Sequence, residues 1–273
     1  MRIRRTAVAG TWYPADPAHL VPQLDRYLEQ AYDRVPAGPV RAIVAPHAGL
    51  MYSGPVAACA YAAARRHRPS AIVLVGPSHF VPFRGVSIWP EGSWETPLGP
   101  AAVAGRLAAA LVEASSEIVD VPAAHGREHS LEMQMPFIAH VLSGVPIVPM
   151  VMGHQTRETA FALGEAIARA VEAHAPDALL VASSDLSHYE DAITAEAMDR
   201  KVIDHVERLD PEGLMGALEA EPRHACGGGP MVAVLEAARR LGAASSRLLQ
   251  YADSGDVTGD KSSVVGYMAA AVW

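Results

Sequence analysis

An α/β fold is predicted for this chain, a single α/β/α sandwich over residues 1–273 with a largely parallel central sheet. Three observations predict it. Short β-branched runs alternate with stretches of helical periodicity, and the connecting loops carry glycine, proline or a helix-capping residue. Half of the 273 residues are hydrophobic but only 6% are aromatic, so the core must be built mainly from Ala, Val, Leu and Ile. Such small aliphatic side chains suit helices laid on a parallel sheet. No internal repeat, low-complexity tract or linker divides the chain, and its length is within the range of one α/β unit.

The elements follow in order. The first strand is Val40 to Ala45, closed by Pro46 and followed by His47. Ser53, Gly54 and Pro55 then supply a cap and a first-turn proline for a helix with Val56, Ala57, Ala60, Tyr61 and Ala64 at helical spacing. Ala71 to Val75 forms a second strand leading into Gly76-Pro77-Ser78-His79, and Gly85 to Trp89 a third. Pro100 to Ala114 reads as a helix with Val103, Leu107 and Leu111 on one face. Val145 to Met152 is strand-like, but Pro146 and Pro149 demote it to a sheet edge or an irregular course. Thr156 caps a long helix bearing Phe161, Leu163, Ile167 and Val171, which feeds the strand from Ala178 to Ala182. Asp210-Pro211 opens a short helix with Leu214 and Leu218. Pro230 opens another that carries Val234, Leu235, Ala238 and Leu241 and stops at Gly242. Arg247 to Tyr251 and Ser263 to Trp273 close the fold as two strands.

Charge narrows the partners. A net charge of −8 and a pI near 5.8 disfavour a phosphate backbone, so no nucleic-acid partner is expected. No stretch approaches the roughly 20 apolar residues of a membrane helix, and the basic start Met1-Arg2-Ile3-Arg4-Arg5 has no apolar segment behind it. A cytoplasmic protein is expected, and in that reducing compartment Cys59 and Cys226 are thiols. Cys59, in an alanine-rich helical run, reads as a small core residue.

The chemistry concentrates at three strand ends. His47, His79 and His188 each stand just past an apolar strand, and the carboxyl ends of parallel strands line one crevice. A lone histidine is more often a hydrogen-bonded structural residue than a ligand; three at equivalent positions point to a metal or acid–base site. His188 has Asp185 three residues upstream, an acid placed to hold an imidazole tautomer or to take part itself. Cys226 lies in His224-Ala225-Cys226-Gly227-Gly228-Gly229-Pro230, immediately before a helix N-terminus whose positive end should favour the thiolate. Imidazoles and one thiolate suit iron, zinc or copper, while the lack of clustered carboxylates argues against calcium or magnesium. In Glu128-His129-Ser130-Leu131-Glu132-Met133, His129 and Glu132 would share a helix face, but Pro136 disturbs any long helix, so a substrate-contacting or purely structural role is expected there. Histidines 19, 67, 125, 140, 154, 174, 205 and 224 lack such a context and read mostly as surface or helix residues.

Taken together these motifs resemble the Memo family, whose microbial members are called AmmeMemoRadiSam system protein B. The resemblance is carried by Ala9-Gly10-Thr11-Trp12-Tyr13-Pro14, Pro46-His47-Ala48-Gly49, Gly76-Pro77-Ser78-His79, Thr96-Pro97-Leu98-Gly99, Glu128-His129-Ser130-Leu131-Glu132, Ser183-Ser184-Asp185 with His188, and Cys226-Gly227. It implies a fold similar to class III extradiol dioxygenases, in which two histidines and a glutamate hold iron and a further histidine moves protons. On that implication His47 and His79 occupy the histidine positions, Cys226 the glutamate position, and His188 the acid–base place or that of an additional ligand. Iron is the first metal expected, with copper or zinc as alternatives. A thiolate in place of a carboxylate changes the electronics of the ion, so ring cleavage does not carry over with the fold. Radical SAM and AMMECR1-like proteins are implied partners, and the substrate is an unidentified small molecule or peptide.

Two readings from different classes follow. The first is a metal-dependent oxidoreductase or dioxygenase-like protein with a metal site of His47, His79, Cys226 and His188, in which His188, Asp185 and His129 are the catalytic candidates. The second is a non-catalytic metal- or peptide-binding module acting with partner proteins. Metal-free thiol chemistry, with Cys226 as nucleophile and His188 as base, ranks last because it leaves His47 and His79 unexplained.

Overall fold

The computed structural model of the chain describes residues 2–31, 39–66 and 68–273; His67 lies outside the described residues. In chain order the strands are β1 (Ile3–Arg4), β2 (Ala42–Ala45), β3 (Ile72–Pro77), β4 (Val86–Ile88), β5 (Ser93–Trp94) and β6 (Ala101–Ala102). They continue with β7 (Ile118–Val119), β8 (Ile147–Met152), β9 (Leu179–Ser183), β10 (His188–Glu190), β11 (Ser246–Asp253) and β12 (Val264–Val272). The main sheet runs β10-β12-β2-β9-β3-β8-β4-β7, with β11 added against β12. Its centre, β2, β9, β3 and β8, is parallel, and β12 and β4 join that centre antiparallel.

Strand alternation sorts the aliphatic residues into two cores. Ile43, Ile72, Leu74, Val181 and Ala269 face the helices Pro17–Gln30, Leu50–Ala64 and Met135–Val141. Val44, Val73, Val75, Leu180 and Ala270 face Gly105–Ala114, Arg157–His174, Ala192–Glu207, Pro211–Ala220 and Gly228–Arg240. Successive strand residues point to opposite faces, so each short run feeds both layers, and each fully buried Val, Leu or Ile contributes about 1.5–3 kcal/mol. The predicted α/β/α sandwich is the observed architecture. Among the described residues no helix is long and apolar enough to cross a membrane.

Four local expectations are corrected. β8 is an interior strand between β3 and β4, not an edge. Pro149 is tolerated there because its carbonyl accepts from Trp89 just past the end of β4, so its missing N–H falls where the three-residue neighbour has run out. The helix after His47 begins at Leu50 with Gly49 as N-cap, one turn before the predicted cap; Ser53 donates instead to the carbonyl of Ala48. The helix predicted from Pro100 begins at Gly105, because Ala101 and Ala102 pair with β5. The segment from Glu128 is not helical until the short 3-10 turn Glu132–Gln134.

Candidate metal centre

β2, β9 and β3 lie side by side and parallel, so the loops leaving their carboxyl ends meet over one edge of the sheet. There His47, His79, His129, Asp185, His188 and Cys226 line a cleft of about 780 Å³. The Cys226 Sγ lies 3.2 Å from His47 Nε2, and the His47 and His79 rings are 5.3 Å apart, edge to face. One donor atom from each of His47, His79 and Cys226 falls within 4.8 Å of the others. His188 shares the cleft but stands outside that close set, in β10 opposite Val265.

The backbone that carries Cys226 comes this close because of Gly227. A Cβ on Gly227 would sit 2.5 Å from the Ser183 carbonyl oxygen, so only glycine lets the loop press onto the end of β9. The amide of Gly227 donates to Ser184 Oγ at 2.9 Å, and that of Cys226 donates to the Asp185 carbonyl.

Each ring is held from behind. His47, fully buried, has its Nδ1 3.0 Å from Ser183 Oγ. The Ser183 hydroxyl donates to the Ser130 carbonyl at 2.7 Å, so it accepts from the ring; Nδ1 carries the proton and Nε2 presents its lone pair to Cys226. His188 Nδ1 is 2.9 Å from the Leu186 carbonyl, which only accepts, so Nδ1 carries hydrogen and the neutral ring holds its lone pair at Nε2. His79 Nδ1 lies 2.9 Å from a carboxylate oxygen of Glu128. Burial alone would raise the Glu128 pKa, but the hydrogen bonds it accepts from the His79 ring and from the amides of His79 and Ser130 hold it below the usual carboxylate value.

Three sequence expectations are corrected here. Asp185 does not hold the ring of His188; its carboxylate accepts from the amides of His47 and Ala48 at 2.7 and 3.3 Å and so fixes the His47 turn. Burial raises the Asp185 pKa against those bonds. Cys226 is not poised as a thiolate: burial and then the facing charge of Asp185 push its pKa up, outweighing the helix N-terminus. His129 and Glu132 do not share a face. The His129 ring stacks on His79 at 4.5 Å and meets Trp12 at 4.4 Å, whereas the carboxylate of Glu132 turns away to Arg4, the amides of Ala7 and Val8, and Tyr13 Oη. His125 and His224, read as surface or helix residues, lie in the short helix Pro122–Gly126 and the 3-10 turn Pro222–His224; both are buried, and neither lines the cleft.

Glu128 and Trp12 were not singled out as site residues. The signal for Glu128 was its place directly before His129; Trp12 has none beyond its Gly-Thr-Trp-Tyr-Pro run. Tyr189 is unusual in another way. It is 78% exposed at the cleft with φ +65°, a backbone state that favours glycine. Tyr189→Gly should therefore raise the thermal midpoint, by relief of about 1 kcal/mol of strain. A lower midpoint in calorimetry would show that the side chain contributes more than its backbone costs.

Buried neutral rings make the fold acid-sensitive. Burial, then the charges of neighbouring histidines, lowers His47 to about 3 and His129 to about 4; burial and the nearby arginines lower His125 to about 3. The unfolded chain takes up these protons at about 6.5, so stability is complete above that pH and is lost as pH falls toward 3–4. Urea unfolding of metal-free protein from about pH 7 to 4 should show a midpoint that declines steadily. A flat profile would contradict the buried neutral state of these rings.

Comparison with known proteins places this geometry in context. A family model described as Memo-like protein matches residues 4–271. A MEMO1 family protein of Methanothermobacter thermautotrophicus is 42% identical, with 97% of this chain and 98% of that protein covered. One from Aeropyrum pernix is 39% identical over the whole of both chains, and one from Sulfolobus acidocaldarius is 40% identical over 98% of each. Among solved structures, an uncharacterized protein from Escherichia coli K12 superposes with a TM-score of 0.58 at 18% identity, over 84% of this chain and 99% of that one. That likeness is one of fold.

Proposed function

The chain belongs to the Memo-like family, and we propose that it binds a redox-active or divalent metal ion through His47, His79 and Cys226 and acts as a non-haem, metal-dependent oxidoreductase of dioxygenase-like architecture. The observation that carries this reading is the convergence of two imidazoles and a thiol, from three separate loops, within 4.8 Å of one another. The donor set fits a first-row ion of intermediate softness, with iron as the first choice and copper or zinc as alternatives. Such an ion, when bound, supplies Lewis acidity and, for iron or copper, a redox couple.

The protein's own groups divide the remaining work. The raised thiol pKa of Cys226 means that its proton leaves only when a cation takes its place. His188, with Nδ1 satisfied by Leu186, offers Nε2 to a proton on a substrate hydroxyl in the cleft. Asp185 keeps the His47 turn in place, and Trp12, Met51, Tyr52 and His129 supply walls that exclude water and accept an apolar or planar ligand. We place this activity in the cytoplasm, on a small molecule or peptide.

Metal analysis of anaerobically purified protein tests the reading. Wild type should carry iron, copper or zinc well in excess of His47→Ala; equal contents would remove the site. The second reading, a binding module without turnover, is favoured by the thiol standing where the resemblance implies a carboxylate. Oxygen consumption with a panel of catechols separates the two, since turnover abolished by His188→Ala belongs to an enzyme.

A further inference from the structure

We propose that Glu128 is a positioning residue that fixes His79 as an Nε2 donor toward the cleft, an inference that rests on the metal site proposed above. The side chain of Glu128 is fully buried, and no lysine or arginine side chain is recorded against its carboxylate among the described residues. A charged group in that position is tolerated only if hydrogen bonds replace its water. Four do so. One oxygen accepts from the His79 amide at 2.6 Å; the other faces His79 Nδ1, the His129 amide and the Ser130 amide, each at 2.9 Å.

The chemistry of these partners assigns the proton. An ionised carboxylate can only accept, so the Nδ1 that faces it carries hydrogen, and a neutral ring protonated at Nδ1 keeps its lone pair at Nε2. The carboxylate also grips backbone and ring of the same residue, which fixes the ring plane as well as the tautomer. His79 needs this more than its partner does: its side chain is 28% exposed, whereas His47 is 1% exposed and held by packing. A carboxylate behind an imidazole also raises its basicity as a ligand, which the serine behind His47 does far less.

The alternative use of this carboxylate is direct coordination, since Glu128 also lies within 4.8 Å of donor atoms of His79 and His129. That use would give up hydrogen bonds to three backbone amides and leave them buried. The geometry favours positioning.

The test is a long-range proton–nitrogen NMR correlation on the metal-free, full-length protein with 15N-labelled histidine, joined to a Co2+ titration. In wild type, His79 should appear with Nδ1 protonated and Nε2 bare. In Glu128→Ala nothing accepts from Nδ1, so His79 should lose its preference for the Nδ1-protonated form while His47, backed by Ser183, keeps its own. Co2+ affinity should fall about 10–100-fold in that variant. Glu128→Asp should hold the wild-type tautomer and recover most of the affinity. A wild-type His79 protonated at Nε2 overturns the proposal, and this spectrum decides the matter even if Glu128→Ala fails to fold. Unchanged Co2+ affinity in Glu128→Ala also overturns it, and lost affinity with an unchanged tautomer assigns Glu128 as a ligand instead. If wild type binds no Co2+, the metal reading falls while the tautomer result still stands for or against Glu128.

Discussion

Cys226→Ser should weaken divalent-metal binding by more than about 100-fold, because loss of a ligand exceeds the 10–100-fold typical of losing a ligand's hydrogen-bond partner. The expected fold of the variant is unchanged. Serine is slightly smaller and polar, and the groups it would meet, His47 Nε2 and the Asp185 carbonyl, are hydrogen-bond partners already. A proton count sharpens the expectation. Burial and the charge of Asp185 keep the thiol protonated, and burial keeps His47 neutral with its pKa near 3. Binding to wild type should therefore release a proton from Cys226 and none from His47, so that affinity rises with pH through the neutral range. Isothermal titration calorimetry in buffers of different ionisation enthalpy measures that release directly. Cys226→Ser should lose both the affinity and the proton release; an unchanged affinity would take the thiol out of the site.

Glu132→Ala should be the most destabilising single change away from the cleft. Arg4 is 2% exposed and Glu132 1%, and their ion pair is completed by donation from Arg4 to the carbonyls of His125 and Glu128. Removing the carboxylate leaves a buried guanidinium uncompensated, at a cost of about 3–5 kcal/mol. It also orphans the amides of Ala7 and Val8 and the hydroxyl of Tyr13. For a chain of this size the loss corresponds to a fall in Tm of roughly 6–20 °C. Glu132→Gln, which keeps the shape and one acceptor oxygen but loses the charge and turns the other oxygen into a donor, should fall between. A loss below about 1 kcal/mol would mean that the pair is solvated rather than buried. Because the same carboxylate ties down residues 7–13, the variant should also loosen Trp12 from His129 at the cleft wall.

Much of this architecture is legible in the sequence because parallel strands buried on both faces read as unbroken apolar runs, as from Ala42 to Ala45 and Ile72 to Val75. The strand-end histidines followed from the same logic, since a strand end in such a sheet fixes where the next residues converge. What the sequence hid is tertiary. Pro149 argues against an interior strand until the short length of β4 is known. The helix Pro17–Gln30 buries Leu20, Leu24 and Leu28 but contains Pro22, and Ala192–Glu207 shows Val202, Ile203 and Val206 amid charge. Both signals are weak alone.

The acidic residues of the Glu128–Glu132 segment show the limit most clearly. Residue spacing offered Glu132 as the partner of His129, on the assumption of a helix. Without that helix Glu132 anchors the N-terminal segment, and Glu128 stands behind His79. The state of Cys226 was hidden for a related reason: a helix N-terminus is visible in Gly227-Gly228-Gly229-Pro230, but the depth of burial and the charge of Asp185 are not.

The central claim, a metal held jointly by His47, His79 and Cys226, is tested most directly by anaerobic titration of metal-free protein with Co2+, followed by the thiolate-to-cobalt charge-transfer absorption in the near ultraviolet. Wild type should develop that band to saturation at one Co2+ per chain, Cys226→Ser should show none, and His47→Ala and His79→Ala should need far more metal to reach it. A wild-type titration without the band, or a band of equal strength and affinity in the histidine variants, would contradict it.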